Sequence, residues 1–294
     1  MTRSTSGKHG VLPSIAISLM TVISAVSALN IAIPEIAEKT GATQTQLTWV
    51  VDAYTVVFAG LLLISGAIGD RFGRKTLLQI GLVIYLVANV YGILSGPEMD
   101  PQILIAIRVI TGVGAAMIMP STLSIITTTF DKEERAKAVG VWVSVAGGGA
   151  VVGLFGTALL MVWFDWTSFF WLNIAFAALG LLGVTVNVVN SKDLTPRPLD
   201  LAGGALSAFA VSSLIFGIIE GPDLGWDDPL TLFGLAAGAT FILAFVFWEL
   251  NTQHPLLDPR LFRIRAFSAG SLSITIQFLA QFGVRGNGKF FEPL

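Results

Sequence analysis

The chain has no cysteine, two histidines and few charges: only 12% of its 294 residues are Asp, Glu, Lys or Arg. Without cysteine there are no disulfides and no thiolate metal sites. His9 and His254 fall in polar stretches outside the apolar runs, so neither suggests a buried metal ligand. Ordinary soluble domains carry roughly 25% charged residues; here the shortfall is matched by 54% hydrophobic residues and a mean hydropathy of +0.78. That balance belongs to an integral membrane protein. The sequence also shows no paired carboxylates, no Ser-His-Asp set and no phosphate-cradling loop, which argues against an enzyme. A net charge of −2 with most of its basic residues in the short stretches between apolar runs argues against a nucleic-acid ligand.

What is present is a series of long apolar runs, at residues 11–33, 49–68, 76–94, 101–118, 138–162, 166–189, 201–219, 230–250 and 267–282. Each approaches the roughly 20 residues that span a bilayer core. Backbone polar groups cannot stay unpaired in hydrocarbon, so runs of this length are helices. The expected fold class is therefore all-α, a polytopic transmembrane helix bundle of about nine helices. The first run follows Arg3 and Lys8 as a signal peptide would, but it is too long and lacks a small-residue cleavage site, so it reads as an uncleaved first helix.

The charges between the runs give an orientation. Gly69-Asp70-Arg71-Phe72-Gly73-Arg74-Lys75 packs four charges and two glycines into the turn between the second and third runs. With the N-terminus cytoplasmic, the loops on that side hold 13 of the 17 basic residues. The opposite loops hold only Lys39, beside acidic residues such as Glu35, Glu98, Asp165 and Glu220. The positive-inside rule is then satisfied at every loop. The polar stretch around Lys192, Pro196, Arg197 and Pro198 is the natural domain boundary. Expected units are a six-helix bundle at 1–190, a cytoplasmic linker at 191–200 and an incomplete set of about three spans at 201–294.

Several residues could carry chemistry. Arg108 sits in the middle of an apolar run, where a guanidinium costs roughly 2.5–3.5 kcal/mol on insertion scales. It either faces a cavity or partner, or is satisfied structurally by backbone carbonyls and snorkelling. Asp52 is the candidate partner nearest in depth, or else an interfacial carboxylate; Asn30 lies at a similar level. Gly149 and Gly153 have GxxxG spacing in a fifth helix that also carries Gly140, Gly147, Gly148 and Gly156, which implies a hinge or a close-contact face. Ser14, Ser18, Thr21 and Ser24 share one face of the first helix; they line a polar path or hydrogen-bond to neighbours. Trp49, Trp163, Trp166 and Trp226 sit at run boundaries and read as interfacial anchors.

The stretch Gly66-Ala67-Ile68-Gly69-Asp70-Arg71-Phe72-Gly73-Arg74-Lys75 resembles the loop motif of the major facilitator superfamily, in the family's position between the second and third helices. Arg108 with Gly112 and Gly114 resembles the fourth-helix motif, and the glycines of the fifth helix resemble the antiporter motif. With Leu47-Thr48-Trp49-Val50-Val51-Asp52-Ala53-Tyr54 and Leu261-Phe262-Arg263-Ile264-Arg265-Ala266-Phe267, the resemblance is to the fourteen-helix drug:proton antiporter branch.

That resemblance implies secondary active efflux of drugs or other apolar or cationic small molecules, driven by a proton gradient with no cofactor or metal, in a bacterial cytoplasmic membrane. Arg108 and Asp52 would serve proton coupling. Gly66, Gly69, Asp70, Arg71, Gly73, Arg74 and Lys75 would form a conformational latch; Gly149, Gly153 and Gly156 would form the hinge of the antiporter helix; Asn30 and Tyr54 would line the substrate cavity. The alternatives are a metabolite facilitator or symporter of the same superfamily, or a non-transporting fragment. Against the family pattern, 152–157 has no proline, Ala25 stands where many relatives carry an aspartate, and 294 residues are too few for fourteen helices, so a truncated chain is expected.

Overall fold

The computed structural model describes residues 8–193 and 198–283, and every regular element among them is helical. The helices are α1 (Lys8–Thr40), α2 (Gln44–Phe72), α3 (Arg74–Ser95), α4 (Pro101–Thr129), α5 (Lys132–Met161), α6 (Ser168–Asn187), α7 (Leu201–Leu224), α8 (Pro229–Asn251) and α9 (Arg265–Gly283). A 3-10 turn, Pro259–Arg263, precedes α9. Arg3, residues 194–197 with Pro196 and Arg197, and the tail from 286 lie outside the described residues. Eight of the helices, α1 to α8, are long and apolar enough to cross a membrane.

Local chemistry sets the ends. All three Asp-Pro pairs of the sequence start a helical element: Asp100, Asp228 and Asp258 each accept a hydrogen bond from the backbone N–H two residues on. The proline that follows each occupies the first turn, where its missing N–H costs nothing. Thr43 and Gln46 form a reciprocal capping box at the start of α2.

Several helices outrun the apolar stretches that revealed them. α5 begins at Lys132 rather than 138 because its charged first turn, with Glu133 and Glu134, suits the positive end of the helix dipole. α4 continues through Pro120 to Thr129, an interior proline that packing neighbours make tolerable in a membrane bundle.

The first six helices form one bundle. α1 packs against α5 and α6, α6 against α3, and α4 lies between α2 and α3. α4 reaches both neighbours through alternate glycines. A side-chain carbon at Gly112 would lie 2.7 Å from the Tyr54 carbonyl oxygen of α2. Added at Gly81 or at Gly114, it would lie 2.8 Å from the other glycine's carbonyl oxygen, so α3 and α4 touch backbone to backbone.

α7 and α8 form a hairpin whose α7 lies along α2. Gly60 meets Ala208, Gly204 meets Ile64, and the Trp49 indole N–H donates to Glu220 Oε1 at 2.8 Å. The hairpin thus extends the surface of the six-helix bundle.

These contacts separate glycines that must be glycine from those that need not be. Gly112→Leu is expected to destabilise the chain by about 1–3 kcal/mol, the usual cost of overpacking. Gly147→Leu, with nothing within 4 Å of the added carbon, is expected to change stability little. Thermal unfolding of the two variants in the same detergent checks the contrast.

Candidate functional site

Arg108 is the largest charged side chain in the core, only 2% exposed. α4 carries it to α2, where its Nε donates to the Val50 carbonyl at 2.9 Å and its Nη2 lies 3.4 Å from the Val51 carbonyl. Its guanidinium carbon stands 4.4 Å from the centre of the Tyr54 ring. A hydrogen bond from a charged donor is worth about 1.5–3 kcal/mol and a desolvated cation–π contact about 2, which together more than offset the insertion cost. Gly112, one turn further along α4, supplies the close approach that lets the side chain reach main chain.

Tyr54 is the second half of this arrangement. Its hydroxyl donates to the Val22 carbonyl of α1 at 2.9 Å, so one ring joins α1, α2 and α4. Tyr54, expected to line the substrate cavity, is fully buried, its ring held between the guanidinium and α1. Asn30 is exposed, its amide donating to the Val26 carbonyl of its own helix. Asp52 is half-buried beside the two carbonyls that Arg108 uses and lies in its electrostatic reach. Among the described residues the guanidinium makes no ion pair with it; main-chain carbonyls take the place of a carboxylate.

The charged turn lies at one end of the bundle and is folded against the segment that follows α6. Gly73 adopts φ +123°, a conformation that favours glycine, and the Asn190 amide fills the space its side chain would need. Arg74 is largely buried, 10% exposed. It bridges Asp70 at 2.7 Å and Asp193 at 2.8 Å, carboxylates that are themselves 44% and 51% exposed. Ser124 of α4 also donates to Asp70 Oδ1, at 3.2 Å. Main chain completes the clamp: the Arg74 N–H donates to the Ser191 carbonyl and the Asp193 N–H to the Asp70 carbonyl, both at 2.9 Å. Lys75 Nζ donates to the Thr185 carbonyl at 2.9 Å. Gly69 packs on Leu77, and Gly66 faces Pro120. Arg71 stacks over the Phe72 ring, 5.5 Å from its centre. It lines, with Leu63, Asp70, Lys192 and His254, a cavity of about 690 Å³.

The glycines of α5 divide in two. Gly149 and Gly153 press on α1, where a carbon at Gly153 would lie 2.6 Å from the Ser24 backbone, and Gly156 faces Leu172 of α6. Gly140, Gly147 and Gly148 meet open space. The hydroxyl face of α1 is a packing seam: Ser14, Ser18 and Thr21 donate to carbonyls one turn back in their own helix, and Gly183 and Gly180 of α6 close on Ser14 and Ser18.

Residues 15–285 match the family model of the Major Facilitator Superfamily. The chain belongs to that superfamily. Its members are transporters, not enzymes. The major facilitators to which the chain is similar include the puromycin resistance protein of Streptomyces alboniger, 33% identical over 94% of this chain and 54% of that one. The methylenomycin A resistance protein of Bacillus subtilis is 30% identical over 97% and 59%, and the methyl viologen resistance protein SmvA of Salmonella typhimurium 34% over 82% and 48%. The chain thus spans about half the length of the curated relatives it matches. Among solved major-facilitator folds, the POT family transporter PepTSo superposes with a TM-score of 0.60 at 16% identity, covering 83% of this chain and 52% of that one.

Some features of this major facilitator were hidden from sequence reading. Trp166, expected as an anchor, is fully buried. Its indole donates to the Pro97 carbonyl at 3.0 Å and its backbone N–H to Glu35 at 3.2 Å. Phe170 packs against it with tilted rings and Phe169 against Phe170 in turn, both as core. Asp193 and Asn190 read only as linker polarity, and nothing in their local pattern marks them as partners of a turn more than 110 residues earlier.

Because both carboxylates of the clamp are substantially exposed, solvent discounts their ion pairs to about 0.5–1 kcal/mol each. A double-mutant cycle of Arg74→Gln with Asp193→Asn is expected to return a coupling of that size by thermal or denaturant unfolding. Asp70→Asn is expected to cost more than Asp193→Asn, since Asp70 also accepts from Ser124.

Proposed function

We propose that the chain is part of a proton-coupled exporter of drugs or other apolar or cationic small molecules, working by alternating access in a bacterial cell membrane. The observation that carries this reading is the similarity to resistance proteins over nearly the whole chain, 94% for the puromycin and 97% for the methylenomycin A relative. Charge asymmetry between loops supports a cytoplasmic N-terminus, with the clamped turn on the cytoplasmic side.

In this reading Arg108 and Asp52 act together in proton coupling. A proton on Asp52 removes a negative charge from beside the guanidinium. What remains are the two main-chain carbonyls that fix α4 on α2. Protonation then shifts the balance between two packings of α2 and α4, and a small-molecule substrate bound against exposed groups such as Asn30 competes with it. The α1–α5 seam at Gly149 and Gly153, with Gly156 against α6, lets α5 slide or bend with no side chain to displace. The clamp around Asp70, Arg71, Arg74 and Lys75, with Gly66, Gly69 and Gly73, latches one conformation. Protons, a hydrophobic drug and the lipid bilayer are the partners; a proton gradient supplies the energy, and no cofactor is needed.

The test is drug movement in sealed vesicles carrying the protein, with puromycin and methyl viologen as probes. Expected is transport that collapses when an uncoupler dissipates the gradient. Asp52→Asn and Arg108→Ala should cut the gradient-driven rate at least tenfold at normal expression. Transport indifferent to the gradient would replace the antiporter with a facilitator, and correct insertion without any drug movement would leave a non-transporting membrane fragment.

A further inference from the structure

The α7–α8 hairpin holds an acidic pair, a buried glutamate beside a partly exposed aspartate, that the transport reading does not use. Glu249, near the end of α8, is 2% exposed. Its Oε2 accepts the Leu257 backbone N–H at 3.2 Å, which ties the connector after α8 to the hairpin. Its Oε1 is buried with no hydrogen-bond partner.

Asp200, the N-cap of α7, comes to the same place. It accepts the Gly203 N–H at 2.7 Å, and the Trp248 indole N–H donates to both its oxygens, at 3.0 and 2.9 Å. Gly203 is what lets the two carboxyls converge, because a side-chain carbon there would overlap both Glu249 Oε1 and Asp200 Oδ2.

The charged groups facing this point do not neutralise it. α7 brings Asp200, and the connector brings Asp258, both acting electrostatically on Glu249. His254, also on the connector, lines the neighbouring cavity with Asp200. Arg260 is turned to the Leu250 carbonyl, 3.2 Å from its Nη2. Among the described residues Glu249 makes no ion pair. A buried carboxylate with an orphan oxygen beside a second carboxylate is costly, and sharing one proton relieves both the desolvation and the repulsion. A metal ion would need further ligands, and among the described residues no group of three or more His, Cys, Asp or Glu side chains is placed to hold one; a proton needs only the two carboxyls.

We propose that Glu249 and Asp200 form a proton-binding site in which Glu249 Oε1 carries a proton taken up from water and turns it toward the Asp200 carboxylate. The proton closes the start of α7 on the end of α8, and through Oε2 it holds the connector that leads to α9. This site stands apart from Arg108 and does not rest on the transport reading.

Infrared difference spectroscopy of the full chain in lipid nanodiscs tests it. At neutral pH the wild type should show the C=O stretch of a protonated carboxyl. Glu249→Gln should lose that band while keeping the wild-type Tm, since the amide mimics the protonated acid in shape and donor. Asp200→Asn, which leaves Glu249 in place, should shift the band by changing its acceptor. A wild type without such a band at neutral pH, or a band unchanged in Glu249→Gln, overturns the proposal; if that variant does not fold, a band unmoved in Asp200→Asn does so.

Discussion

The packing of α4 on α2 depends on a guanidinium that has to find its acceptors on another helix's main chain. A helix has no free carbonyls in its interior, so Arg108 takes a second lone pair from carbonyls that already serve α2's own ladder. This is possible only at very short interhelical distance, which Gly112 provides. The same distance brings the Tyr54 ring under the guanidinium, and the Tyr54 hydroxyl then reaches α1. One buried cation thus sets the spacing of three helices, and the glycine and the tyrosine are as much a part of the device as the charge.

The rest of the bundle follows the same logic by different means. Where no charge draws two helices together, small residues do: Gly81 on Gly114 between α3 and α4, Gly149 and Gly153 on α1, Gly180 and Gly183 on the serines of α1. In a bilayer, lipid tails are as apolar as leucine, so dispersion contacts and interhelical hydrogen bonds hold the helices, not the expulsion of water. Close backbone approach maximises the first, and at Ser14, Ser18 and Thr21 hydroxyls bonded to their own helix allow it, whereas Ser24 and Ser27 bury hydroxyl oxygens without a partner. The stripe of α1 from Ser14 to Thr21 is therefore compatible with a dry seam.

Much of this was legible in the sequence, and what was not has an identifiable reason. Apolar run length located the nine α-helices among the described residues, though only α1 to α8 are long and apolar enough to cross a membrane; it misplaced ends such as Lys132 and Thr129 because a helix continues as far as capping and propensity allow. Arg108 announced itself by its apolar surroundings. Its partner did not, because backbone carbonyls leave no residue signature, whereas a carboxylate such as Asp52 does. Tyr54 and Trp166 looked available for a ligand or an interface and are buried, since position along a helix fixes depth but not which face turns inward. The partners of the charged turn lie beyond α6, and long-range pairing of that kind leaves no local periodicity to read.

The clamp at that turn bears directly on how the proposed latch would work. Asp70 and Arg74 are already engaged, with each other, with Ser124 and with Asp193. Any further element that took Asp70 as its partner would have to leave Arg74 neutralised by Asp193 alone or release it into water. In the proposed latch Asp193 would serve as a reserve acceptor: it would keep the buried end of Arg74 paired while Asp70 changed hands. A latch built from one arginine and two carboxylates can switch partners without passing through an unpaired charge, and this lowers the barrier between its two states. The Asp193 N–H on the Asp70 carbonyl keeps the reserve in register, because it fixes the segment by main chain whichever carboxylate the guanidinium holds.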